Sequence, residues 1–175
     1  MALKRNRQGD LDAEFTLVRA AVEQPRMVAS VLEMVHPDQF TDPVCARIWH
    51  VVQKLSRSGR PVGFDEIVKE LKPADILGAD GCSGETTVAD CVGQTISDGS
   101  GTPDEAKWCA LRIRADAHRR ALLDVLDRCK QAVVGGRSKD AKSLLGKASS
   151  LGEAYHEAQL DATRELNRLN RRTTP

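Results

Sequence analysis

Apolar residues recur along this chain at three- and four-residue spacing and almost never alternate, so the pattern predicts helices rather than strands. Phe15, Val18, Ala21 and Val22 share one helical face behind Asp10 or Asp12, either of which can cap the first turn. Pro25 sits where a second helix opens, and Met27, Val28, Val31, Leu32 and Val35 form a stripe that stops before Pro37. Asp42-Pro43 joins a capping carboxylate to a residue whose missing N–H costs nothing in the first helical turn. Val44, Ile48, Val51, Val52 and Leu55 then share a face, Gly59 ends that helix and Pro61 prevents its resumption. Phe64, Ile67, Val68 and Leu71 predict a short helix closed by Pro73. Glycine, serine, aspartate and threonine dominate residues 77–101, where only the segment 85–96, with Val88, Cys91, Val92 and Ile96, keeps helical spacing.

The clearest pattern follows. Thr102-Pro103-Asp104-Glu105 carries a cap, a first-position proline and two carboxylates facing the positive end of a helix dipole. The helix it opens can run to Val134, about 45 Å at 1.5 Å per residue. Gly135-Gly136 breaks it, and a second helix is predicted from about Ser138 to beyond Leu160. Leu111, Ala115, His118, Leu122, Val125, Cys129 and Ala132 step by alternating fours and threes. So do Ala141, Leu144, Ala148, Leu151, Tyr155 and Ala158. Both are heptad seams, and the glycine turn makes them an antiparallel hairpin. One hairpin was expected to leave apolar surface uncovered, so the seam residues are the predicted self-association interface, shared with a second copy across a two-fold axis. His118 then reads as a polar seam position that sets register. The predicted fold is all-α: a disordered basic tail at 1–9, a helical head at 10–101, a hairpin at 102–160, and a tail or the start of a linker helix at 161–175.

Composition narrows the chemistry. Aromatic residues make up 3% of the 175, so the core must be aliphatic, which again suits helices. The net charge is +1, but unevenly placed: residues 1–101 hold 11 basic and 15 acidic side chains, residues 102–175 hold 15 and 10. The basic C-terminal part hints at an acidic partner. Arg164, Arg168, Arg171 and Arg172 are its best nucleic-acid candidates, and the alternative reading is a small helical nucleic-acid-binding protein. Arg112, Arg114, Arg119, Arg120 and Arg128 are interleaved with aspartates and suit a solvated helix face better. Five cysteines form no CxxC pair, and no secretory segment follows Met1, so reduced thiols in a cytoplasm are expected.

No constellation asks for an enzyme. Asp38 and Asp42 lie beside prolines, where turn and cap roles account for them. Cys82, Cys91, His118 and His156 fit no structural zinc spacing. The glycine-rich stretch lacks the Lys-Ser/Thr that completes a phosphate loop, and GxxxxGK[ST] occurs nowhere in the chain. No metal, cofactor or catalytic residue is predicted.

The order of the turns and helices resembles the N-terminal domain of DnaB-like replicative DNA helicases. The resemblance rests on an acidic first helix at 11–22 and on a Pro-Asp-x-Phe-x-Asp-Pro turn at Pro37, Asp38, Phe40, Asp42 and Pro43. Ile48 and Trp49 follow, then Gly59, Pro61 and Val62, then Ile67 and Leu71. Pro103, Trp108, Arg119 and Arg120 mark the long helix. It spans about residues 10–155. It implies a helical head with a hairpin, hairpins that pair, and a collar built as a trimer of dimers that contacts a primase or a helicase loader in the primosome. Residues 78–101 depart from the family pattern: Gly78, Gly81 and Gly84 remain, but the aromatic is missing. Because the motor's phosphate loop is absent, the resemblance implies assembly without ATPase or unwinding activity. Met1 and the polar end at Pro175 suit a free-standing homologue, whereas 160–169 resembles the start of the linker to a motor.

Overall fold

The computed structural model describes residues 3–72, 87–99 and 102–173, and among these there is no strand. Among the described residues, seven α-helices follow one another: α1 Leu3–Glu23, α2 Pro25–Val28, α3 Pro43–Arg57, α4 Phe64–Glu70, α5 Val88–Asp98, α6 Ala106–Val134 and α7 Ser138–Thr173. Single 3-10 turns at Pro37–Gln39 and Pro103–Glu105 precede α3 and α6. The chain forms two compact units, Met1–Ile113 and Arg114–Pro175, and α6 runs through both. The division falls inside α6 rather than at the expected 101/102, because Ala106, Cys109, Ala110 and Ile113 are part of the first unit's core.

That core is aliphatic, as composition requires. Leu17 and Val18 of α1, Ile48, Val52 and Leu55 of α3, Ile67 of α4 and Val92 of α5 are buried in one cluster. Trp49 is wholly buried there, its ring 5.8 Å from that of Phe40. Its indole N–H donates to the Val35 carbonyl at 3.0 Å. Gln53 donates to the Leu32 and Val35 carbonyls at 2.6 and 3.0 Å. α2 stops after four residues and gives way to turns where the sequence predicts a helix through Val35. The carbonyls of Leu32 and Val35 are satisfied there by tertiary partners. Val31, Leu32 and Val35 are buried all the same. The side chains of Met27 and Val28 lie outside the described residues.

The turn between α2 and α3 is fastened from below. Glu14 of α1, 1% exposed, accepts hydrogen bonds from the backbone N–H groups of Thr41 at 2.6 Å and Asp42 at 2.8 Å. Asp42 caps α3 by accepting from the Cys45 N–H at 2.8 Å, with Pro43 in the first turn, as the sequence predicts. Helix α3 ends with Gly59 in the left-handed region at φ 68°. Arg60 N–H donates to the Leu55 carbonyl and Gly59 N–H to that of Ser56, closing a Schellman motif. Lys54 and Arg60 then grip Glu70 of α4, and these two cations hold its carboxyl down at about 2.

Several expectations need correction. Helix α1 begins at Leu3, so residues 3–9 are helical where a disordered tail is predicted. α5 is capped by a reciprocal Thr87–Asp90 box and runs to Asp98, slightly past the expected 85–96. α7 runs beyond Leu160, as expected, and continues through 161–173 without a break, the helical one of the two readings for that segment. Cys45, Cys109 and Cys129 are free and buried, and burial pushes the Cys109 thiol up to about 12. Cys91, however, is disulfide-bonded where a reduced thiol is expected; helical spacing carries no information about such a bond. Gly78, Gly81, Cys82, Gly84 and the rest of 73–86 lie outside the described residues, as do 100–101.

Candidate self-association surface

The second unit is the predicted hairpin. Its turn is a second Schellman motif: Arg137 N–H donates to the Ala132 carbonyl at 2.8 Å and Gly136 N–H to that of Val133 at 3.1 Å. Gly136 has φ 70°, and a Cβ there would meet nothing within 4 Å. Substitution therefore carries backbone strain alone: Gly136→Ala should cost about 1 kcal/mol and leave the fold intact. Thermal unfolding followed by circular dichroism, beside wild type, measures it.

Two contacts set the register of the hairpin. Cys129 Sγ lies 3.7 Å from the Ala141 carbonyl, and Arg114 reaches Asp161 at 3.5 Å. Antiparallel helices in that register face Ala115 with Ala158, His118 with Tyr155, Leu122 with Leu151, Val125 with Ala148, Cys129 with Leu144 and Ala132 with Ala141. Ala115, Val125, Cys129, Ala132, Ala141, Ala148 and Ala158 are buried accordingly. His118, Leu122, Leu144, Leu151 and Tyr155 are half-buried. Leu111 is buried in the first unit. The predicted interface residues of the hairpin thus pack, wholly or in part, against one another within one chain. Ala115, Val125, Cys129, Ala141 and Ala148 are covered inside the chain, whereas His118, Leu122, Leu144, Leu151 and Tyr155 keep part of their surface open. The small alanines let the two helices approach one another.

The uncovered surface lies beside the seam. Arg114 precedes Ala115 and Asp161 precedes the buried Ala162, which continues the seam four residues past Ala158; their contact shows that such residues meet along one flank. Residues one past the seam meet along the other. There stand Leu126 of α6, Val133 near the turn and Leu145 of α7, with Leu123 further round α6. Leu123 is 52%, Leu126 42% and Leu145 56% exposed. The opposite flank is polar, with Arg128 bridged to Asp124 at 3.7 Å. The leucines were missed because the heptad rule assigns the seam first; a second stripe, offset by one residue, was the available signal.

The arginine tail is helical. Arg164 pairs with Asp161 at 3.3 Å and Arg168 with Glu165, while Arg171 and Arg172 are exposed in the last turn, where the dipole favours cations. Among the described residues no cluster of His, Cys, Asp and Glu is placed to hold a metal, and no helix is long and apolar enough to cross a membrane.

The family model for the DnaB-like helicase N-terminal domain matches residues 6–100. The chain belongs to this family. No curated protein matches the sequence. Among solved structures, the crystal structure of the N-terminal domain of DnaB helicase from Mycobacterium tuberculosis is similar, with a TM-score of 0.62 and 21% identity. The match covers 81% of this chain and 94% of that one. At that identity the likeness speaks for the fold alone. Within the DnaB-like frame, the 36–71 stretch is scaffold: Phe40, Asp42, Trp49 and Gly59 each fasten a turn or fill the core.

Proposed function

We propose that this DnaB-like domain is a non-catalytic assembly module of DNA replication. It self-associates through its hairpin, as a dimer or a trimer of dimers, and docks a primase or helicase loader in a cytoplasmic primosome. It has no ATPase or unwinding activity of its own, and any DNA contact is indirect. The observation that carries this reading is the exposed leucine flank of Leu123, Leu126 and Leu145 beside a seam that packs within the chain. Exposed leucines in a row on one flank are an interaction surface, and a flank on a hairpin is self-complementary under a two-fold axis.

Light scattering tests it. Each leucine covered by a second copy stabilises association by about 1.5–3 kcal/mol, and a two-fold axis counts each twice. Leu126→Asp/Leu145→Asp should therefore weaken association by a hundredfold or more while the helical dichroism stays unchanged. Wild type that is monomeric at high micromolar concentration, or a double variant that keeps the wild-type mass, overturns the reading.

A further inference from the structure

The hairpin's excess positive charge is concentrated at its turn. Residues 128–147 hold six Lys and Arg against the single Asp140, whereas the remainder of 102–175 holds nine of each sign. A notch of about 380 Å³ opens there, with Arg128, Gln131, Arg137, Asp140 and Ser143 around it and Ala132 and Leu144 as its apolar floor. Arg128 and Arg137 are each 62% exposed, and each pairs with a carboxylate close in sequence: Arg128 with Asp124 of α6 at 3.7 Å, and Arg137, in the turn, with Asp140 of α7 at 4.0 Å. Both are loose enough to be exchanged for a better acceptor. The α6 C-terminus and the α7 N-terminus meet at this end, so their dipoles oppose one another and the side chains set the potential.

Arg128 and Asp140 precede seam residues by one position, which places the notch on the polar flank. A second copy seated on the leucine flank leaves it open.

We propose that this notch docks an acidic, leucine-bearing segment of a protein partner. Two guanidinium forks above an apolar floor suit a carboxylate next to an aliphatic side chain. A nucleic-acid backbone is the poorer fit: Asp140 stands among the lining residues, and none of them is aromatic, so no base has a surface to stack on. The proposal takes from the assembly reading only the flank that stays open.

Fluorescence anisotropy with a fluorescein-labelled dodecapeptide of Glu and Leu tests it, beside a Lys/Leu peptide and a twenty-residue oligothymidylate. The Glu/Leu peptide should bind wild type, and Arg128→Glu/Arg137→Glu should weaken that binding tenfold or more with helical dichroism retained. Leu126→Asp/Leu145→Asp should bind as wild type does, so a failure of self-association is read separately by light scattering. The proposal is overturned if the arginine variant binds the peptide unchanged, or if the leucine variant abolishes binding. Arginine-dependent binding of the oligothymidylate that exceeds that of the peptide overturns it in favour of nucleic acid.

Discussion

Trp49→Ala should remove about 3–5 kcal/mol from the stability of the first unit, a large part of what a domain of this size has. On this size scale the melting temperature falls on the order of 15 °C. The side chain is wholly buried between Phe40 and the core, so truncation leaves a void that rigid α3 cannot collapse. It also removes the indole donor to the Val35 carbonyl, although Gln53 still reaches that oxygen at 3.0 Å. That second donor makes a graded comparison possible. Trp49→Phe keeps most of the apolar volume and leaves the carbonyl satisfied, so it should cost only about 1–2 kcal/mol. Urea unfolding followed by circular dichroism, with Trp108 as the remaining fluorophore, measures both. A cost below about 1 kcal/mol for the alanine variant would show that the 36–43 turn is held by something other than this tryptophan.

The first unit was largely legible in the sequence because its signals are local. Asp42-Pro43 and Gly59 followed by Pro61 each mark a helix end by chemistry that acts within four residues, and each starts or ends a helix as predicted. What was not legible depends on distant partners. The stripe through Val35 reads as helix because its spacing is helical, yet the chain turns after Val28, and Gln53 and Trp49, far along the chain, fasten that turn through the Leu32 and Val35 carbonyls. Glu14 gives no signal at all: in sequence it is one more acid in an amphipathic helix, and only the fold brings it under Thr41 and Asp42. The hairpin shows a different limit. Its heptads specify that two helices pack, but the same spacing serves a seam within one chain or between two. The burial of the seam alanines and the exposure of Leu123, Leu126 and Leu145 beside them belong to the folded molecule.

Glu14 should make the first unit less stable as pH rises through neutrality. Burial pushes its carboxyl up from 4.5 to about 7, against the pull of the Asp42 and Thr41 N–H donors and with a further push from the Asp42 carboxylate. Between those two values the folded chain holds a proton that the unfolded chain has released, so raising the pH favours unfolding. The contribution is complete below about pH 4.5 and lost as pH passes 7, amounting to about 3 kcal/mol across the window. The depressed carboxyls of Glu33, Glu66, Glu70 and Asp90 act in the opposite sense and at lower pH, where protonation removes their stabilisation. A comparison with Glu14→Gln cancels them. The glutamine still offers one oxygen to the turn but sets an N–H against the other donor, so the variant should be less stable than wild type at pH 5 by about 1–3 kcal/mol. It does not titrate, and the gap should therefore shrink steadily and close or reverse by pH 8. Denaturant midpoints taken at half-unit steps from pH 5 to pH 8 give the difference directly. Two parallel profiles would mean that Glu14 stays ionised throughout, held by its two backbone donors despite its burial.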